Sequence, residues 1–94
     1  MRWVVTGTNR GIGLELVRQL LARGEHVDAG VRRMETAGHV RALGERADGR
    51  LRVLQCDVGD DGNVRDFATE LGDVTVDVIV NSAGVMGKMQ SLAE

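Results

Sequence analysis

Thr6-Gly7-Thr8-Asn9-Arg10-Gly11-Ile12-Gly13 is the stretch on which the fold turns. The run before it, Arg2-Trp3-Val4-Val5-Thr6, is apolar and β-branched and reads as a strand. After it, Ile12, Leu16 and Leu20 recur at four-residue spacing beside Val17 and Leu21, the stripe of an amphipathic helix over residues 11–23. Each glycine between them has a physical task in a strand-to-helix turn. Gly7 permits a tight turn, Gly11 lets the backbone come close to a pyrophosphate, and Gly13 lets the helix pack against the sheet. The helix start adds unpaired N–H groups and the positive end of the helix dipole. The glycines alone fit a ligand-free turn equally well; the strand before and the helix after them favour a dinucleotide site.

Outward from this turn, strands and helices alternate. Gly24 closes the first helix, where a C-terminal glycine belongs. His26–Val31 reads as a second strand, short and less apolar, with Asp28 in its middle. That charge is accounted for only if it faces solvent or pairs with a nearby arginine. Residues 34–47 read as a second helix with Ala37, Val40, Leu43 and Ala47 on one side, interrupted by Gly38 and Gly44. Residues 51–57 read as a third strand. Residues 60–71 read as a third helix, capped by Asp60 or Asp61 and striped by Val64, Phe67, Ala68 and Leu71. Residues 76–80 form a fourth strand closed by Asn81-Ser82-Ala83-Gly84, and residues 85–94 have no period.

Right-handed crossovers leave few arrangements for this order. The expected fold is α/β: a Rossmann-type parallel sheet of four strands in order 3-2-1-4 with three crossover helices, the first half of a doubly wound fold. The first two helices then cover one face and the third covers the other. Residues 1–84 form the dinucleotide-binding unit and residues 85–94 a tail. Strands 1 and 4 flank the switch point, whose crevice takes the ligand.

Composition narrows the class. Of 94 residues, 43% are hydrophobic and 28% charged, the balance of a globular domain. Twelve basic against 14 acidic residues give a net charge of −2, with no basic excess toward nucleic acid or an anionic membrane. No apolar run approaches membrane-spanning length, and Cys56 is alone, so a reducing, cytoplasmic setting is expected. His26 and His39 have no partners at metal-ligand spacing, and Cys56 inside a strand reads as a small buried hydrophobe.

The spacing T-G-x-x-x-G-x-G resembles the short-chain dehydrogenase/reductase family. Asp57-Val58 stands where that family has an acidic residue facing the adenine, and Asn81-Ser82-Ala83-Gly84 is similar to its N-N-A-G, with Ser82 for the second asparagine. Residues 9–24 are similar to carbonyl-reductase-like and C-factor-like members. The resemblance implies cofactor contacts at Gly7, Thr8, Asn9, Arg10, Gly11, Ile12, Gly13, Asp57, Val58, Asn81, Ala83 and Gly84. It implies no catalytic residue here. The family's serine and Tyr-x-x-x-Lys lie beyond a match to these residues, the chain has no tyrosine, and its one lysine is Lys88.

Charge indicates which cofactor. Dinucleotide sites that select NAD place a carboxylate at the end of the second strand, roughly 20 residues after the glycines, to hold the ribose 2′-OH. Here Val31 is followed by Arg32 and Arg33, and Arg10 lies in the glycine loop. Arginine can grip a 2′-phosphate bidentately, so Arg32 with Arg10 favours NADP(H), whereas Arg33 reads as an ordinary surface charge. Two readings stay open: the cofactor-binding part of an oxidoreductase, or a stand-alone NADP(H)-binding module acting through a partner protein. The end at Glu94, at no boundary of the expected fold, favours a truncated chain. The outer edge of the fourth strand, with one charge and no proline, invites self-association.

Overall fold

The computed structural model describes residues 1–82. Among them, β1 (Arg2–Thr6), β2 (His26–Val31), β3 (Leu51–Gln55) and β4 (Val78–Asn81) form one sheet in the order β3-β2-β1-β4. Every neighbouring pair is parallel. The connections run through α1 (Gly11–Ala22), α2 (Gly38–Leu43) and α3 (Asp61–Leu71). This is the expected Rossmann-type half-sheet, and it brings the carboxyl ends of all four strands to one edge.

The pleat sorts side chains to two faces. Register places Val5 beside Ala29 and Val80, with Val53 following Ala29. That row meets α1 and α2 in a core where Val17, Leu20, Val27, Val31 and Val40 are also buried. The next row, Ile79, Val4, Asp28 and Arg52, faces the other way. There Val4, Cys56 and Phe67 make a smaller cluster under α3.

Asp28 sits in that second row at 1% exposure. Arg52 Nε donates to its Oδ1 at 2.7 Å, and Arg2 Nε lies 3.5 Å from its Oδ2. The second contact is an ion pair without a hydrogen bond, since Oδ2 accepts none. Arg52 also donates to the carbonyls of Glu70 and Leu71 at 3.3 and 3.1 Å, tying the carboxyl end of α3 to the sheet. The mid-strand charge is thus explained by arginines on both neighbouring strands.

Several element boundaries differ from the sequence reading; among them, the third helix starts at Asp61 with Asp60 as its cap, and the fourth strand runs on to Asn81. The first helix ends at Ala22, one residue early. The second helix is not continuous over 34–47. It is a 3-10 turn at Met34–Thr36, the short α2, and a second 3-10 turn at Gly44–Arg46. Gly38 and Gly44 stand at the two breaks, where glycine's low helix propensity lets the backbone change pitch. The third strand stops at Gln55 and not at residue 57, because Asp57 starts a turn: its Oδ1 accepts from Gly59 N at 3.0 Å, and its carbonyl accepts from Asp60 N at 3.0 Å. The fourth strand starts at Val78 and not at residue 76. The Asp77 carboxylate accepts the Arg2 N–H at 2.8 Å, a place the ladder would have filled with a carbonyl.

Candidate functional site

The glycine turn is held from both sides. Thr8 is fully buried, and both its N–H and its hydroxyl donate to the Gly30 carbonyl, at 3.2 and 3.0 Å. Its side chain therefore anchors the loop to the end of β2 and does not face outward. On the other flank, Thr6 Oγ1 donates to Asn81 Oδ1 at 2.8 Å. The Ser82 hydroxyl donates to the Thr6 carbonyl and lies 3.3 Å from the Gly7 carbonyl. The loop is thus stapled to the carboxyl ends of β2 and β4, across the point where the sheet order reverses.

Two glycines are required here for different reasons. Gly11 has φ +64°, a left-handed conformation, and a Cβ there would meet nothing within 4 Å. The space above it is open. Gly13 is the opposite case: a Cβ would run into the Gly7 carbonyl and lie 2.6 Å from Ser82 Oγ. It is the point where α1 touches the turn, the packing role that the spacing predicts.

The amino end of α1 is electrostatically bare. Arg10 stands at its N-cap with extended backbone and no side-chain cap, and the first turn has no acidic residue. The contrast with α3 is direct, since there Asp60 accepts from Asn63 N at 3.1 Å. A helix that leaves its first N–H groups uncapped, behind an open glycine, presents donors and a positive dipole end to an anion. Ile12 in that first turn is 45% exposed.

The remaining candidates lie along the same edge. Asp57 and Val58 follow β3, and Val58 is 45% exposed. Arg32 follows β2, with its guanidinium Nε 3.5 Å from Asp57 Oδ2. Gln55 Nε2 donates to the Arg32 carbonyl at 3.2 Å. The Asp57 N–H donates to Asn63 Oδ1 at the start of α3. Arg10 is exposed and forms no ion pair among the described residues. Asn9 sits in the loop beside it. Ala83 and Gly84 lie outside the described residues. Sequence reasoning missed the supporting groups Gly30, Gln55 and Asn63.

Beneath this edge, burial pushes the Cys56 thiol up, and the neighbouring Asp57 charge adds to the effect. The thiolate is disfavoured, and Cys56 acts as a packed apolar group. A depression of about 350 Å³ lined by Arg18, Leu21, Leu43, Arg46 and Arg50 lies toward the other end of α1 and contains none of the candidate residues.

The short chain dehydrogenase family pattern matches residues 2–94. The chain belongs to that family. Among curated short-chain relatives, a short-chain dehydrogenase/reductase of Penicillium roqueforti is 41% identical over 87 residues, covering 89% of this chain and 25% of its own. The (+)-neomenthol dehydrogenase of Arabidopsis thaliana is 36% identical over 95 residues, covering 89% of this chain and 30% of its own. The crystal structure of a carbonyl reductase from Pseudomonas aeruginosa PAO1 in complex with NADP superposes with a TM-score of 0.80 at 34% identity. It covers all of this chain and 44% of that one. The chain therefore spans only 25–31% of the length of the first curated relatives it matches.

Among the described residues, no helix is long and apolar enough to cross a membrane.

Proposed function

We propose that residues 1–84 are the NADP(H)-binding portion of a short-chain dehydrogenase/reductase. Hydride transfer between the cofactor and a carbonyl or alcohol would then depend on groups that these residues do not supply. In this reading, the open backbone at Gly11 and the uncapped start of α1 receive the pyrophosphate. Gly7, Thr8 and Gly13 keep the turn tight, Thr8 from within. Asn9, Arg10 and Ile12 border the bound cofactor. Asp57 and Val58 border the adenine, and Asn81, Ala83 and Gly84 are the further cofactor contacts that the family resemblance implies. When bound, the nicotinamide ring supplies the hydride chemistry. The chain's own residues bind and orient.

The observation that carries the choice of NADP(H) is Arg32. It stands exposed just after β2, next to Val31, and Val31 occupies the place where a carboxylate would accept from a ribose 2′-OH. The NADP found in the structurally similar carbonyl reductase supports the same cofactor. A charge-assisted hydrogen bond contributes about 1.5–3 kcal/mol, so Arg32→Ala should weaken NADPH roughly tenfold or more while leaving NADH little changed. Fluorescence titration of both cofactors checks this, and equal affinities in the wild type would overturn the choice. With no tyrosine in the chain, no carbonyl-dependent NADPH oxidation above background is expected.

The same reading includes self-association. Among the described residues β4 is an edge strand, and Ile79 on its α3-facing side is 70% exposed. A second copy paired along that edge would extend the sheet and cover the side chain. Sedimentation over a concentration series tests it, and a monomer at every concentration excludes it.

A further inference from the structure

We propose that Asp57 is the resident counter-ion of Arg32, and that it sets how strongly the site distinguishes a 2′-phosphate from a 2′-hydroxyl. The proposal rests on the NADP(H) reading above and deepens it. The two residues were singled out for different tasks, one for the adenine and one for the ribose end, yet the fold pairs them at 3.5 Å.

The two partners are not equally free. Asp57 is fixed: its Oδ1 accepts from Gly59 N at 3.0 Å, and its own N–H is taken by the Asn63 side chain. One carboxylate oxygen is used by the turn, and the other faces Arg32. Arg32 is anchored through its backbone, where Gln55 holds its carbonyl, but its side chain is 73% exposed and can swing. An incoming 2′-phosphate therefore meets a cation that already has a partner, and a carboxylate that cannot move away. Arg32 must exchange one anion for another, or share itself between the two. NADH, which has no 2′-phosphate, does not call for that exchange.

Asp57 thus restrains the NADPH preference that Arg32 creates. The adenine is common to both cofactors, so whatever Asp57 contributes there cancels in the ratio of their affinities. An exposed ion pair is a weak competitor, which sets the size of the effect at a few-fold.

The test is equilibrium titration of NADPH and NADH against the full chain, with Asp57→Asn, Arg32→Ala and the double variant. Asparagine retains an oxygen for the Gly59 turn. Asp57→Ser, whose hydroxyl can serve the same turn, repeats the measurement if the first variant folds poorly. Asp57→Asn should raise the NADPH-to-NADH affinity ratio roughly fivefold, and in the Arg32→Ala background the same change should raise it less than twofold. A ratio that stays constant or falls in Asp57→Asn overturns the proposal, as does an equal rise in both backgrounds. Equal wild-type affinities for the two cofactors would instead overturn the NADP(H) reading, and this proposal with it. A wild type that prefers NADPH, with a ratio insensitive to Asp57, would overturn this proposal alone.

Discussion

The two faces of the sheet are built on different principles. Toward α1 and α2, Val5, Val27, Ala29 and Val31 are buried against Val17, Leu20, Leu21 and Val40, all aliphatic. Toward α3, the buried apolar side chains are Val4, Cys56 and Phe67, and the same surface carries the ion-paired Arg2, Asp28 and Arg52 and the exposed Ile79. One face is held by packing, which has no direction. The other admits charges that must meet partners in particular places. β2 is central and contributes to both, so it is buried at every position but its first, although Asp28 makes it look the least strand-like of the four. The lesson is that position in the sheet decides burial, and a charge is admitted when adjacent strands neutralise it.

The largest effect should come from the packed face. Leu20 is 1% exposed in the α1 core, and Leu20→Ala removes buried methyl groups and leaves a cavity. The expected loss is about 2–5 kcal/mol, a large share of the roughly 5–15 kcal/mol that holds a domain together. Urea denaturation followed by circular dichroism measures it. A loss below about 1 kcal/mol would mean that the α1 face is much looser than its burial indicates.

The charged face should behave asymmetrically. Arg52→Ala leaves Asp28 buried with only the longer Arg2 contact, and strips the Glu70 and Leu71 carbonyls of a donor. Breaking a buried pair costs about 3–5 kcal/mol when the remaining charge stays dry. Arg52 is itself partly exposed and α3 covers this face thinly, so water can enter, and a loss below that scale, about 2 kcal/mol, is expected. Replacing all three charges together, Arg2→Met, Asp28→Leu and Arg52→Met, should come within about 1 kcal/mol of wild type, because no charge is then stranded. If the triple variant were as unstable as Arg52→Ala, the charges would be contributing net stability and the comparison of the faces would need reversing.

Much of this architecture was legible in the chain, and the failures have physical reasons. β1 and β2 appear with the expected bounds because apolar, β-branched runs ending at glycines or polar turns leave few alternatives. The second helix broke because Gly38 and Gly44 lower local helix preference, and only tertiary packing decides whether such a segment stays continuous. Asp28 could not be interpreted locally. Its partner Arg52 is set by the register of β2 against β3, and register is a long-range property. At the site, the glycine pattern located the turn, but it did not reveal that Thr8 points inward to Gly30 or that Arg32 finds Asp57. The first depends on the end of a strand 22 residues away, and the second on two loops that meet only when β2 and β3 pair.

The smallest effect is a difference in local opening, and Cys56 is placed to report it. The thiol is buried between Val4 and Phe67, on the face that α3 covers among the described residues. Local openings in folded domains range from almost nothing up to global unfolding. A region with few apolar contacts belongs near the low end of that range, so α3 should open at a free energy roughly 1–2 kcal/mol below that of α1. Alkylation consumes the thiolate, and burial followed by the Asp57 charge holds the folded thiol above its ordinary range, so modification waits for opening. The sign with pH follows. The raised folded pKa means this group's contribution is fully present below the unfolded thiol's pKa and is lost as pH rises through the folded value. Alkaline conditions should therefore favour the open form. Iodoacetamide labelling of Cys56, compared with amide hydrogen exchange in α1 under the same native conditions, measures the gap. Cys56 labelling should give the lower opening free energy, and the two should converge as denaturant brings global unfolding within reach. If Cys56 and the α1 amides opened with one free energy at every denaturant concentration, the two faces would form one cooperative unit, and their difference in construction would carry no difference in stability.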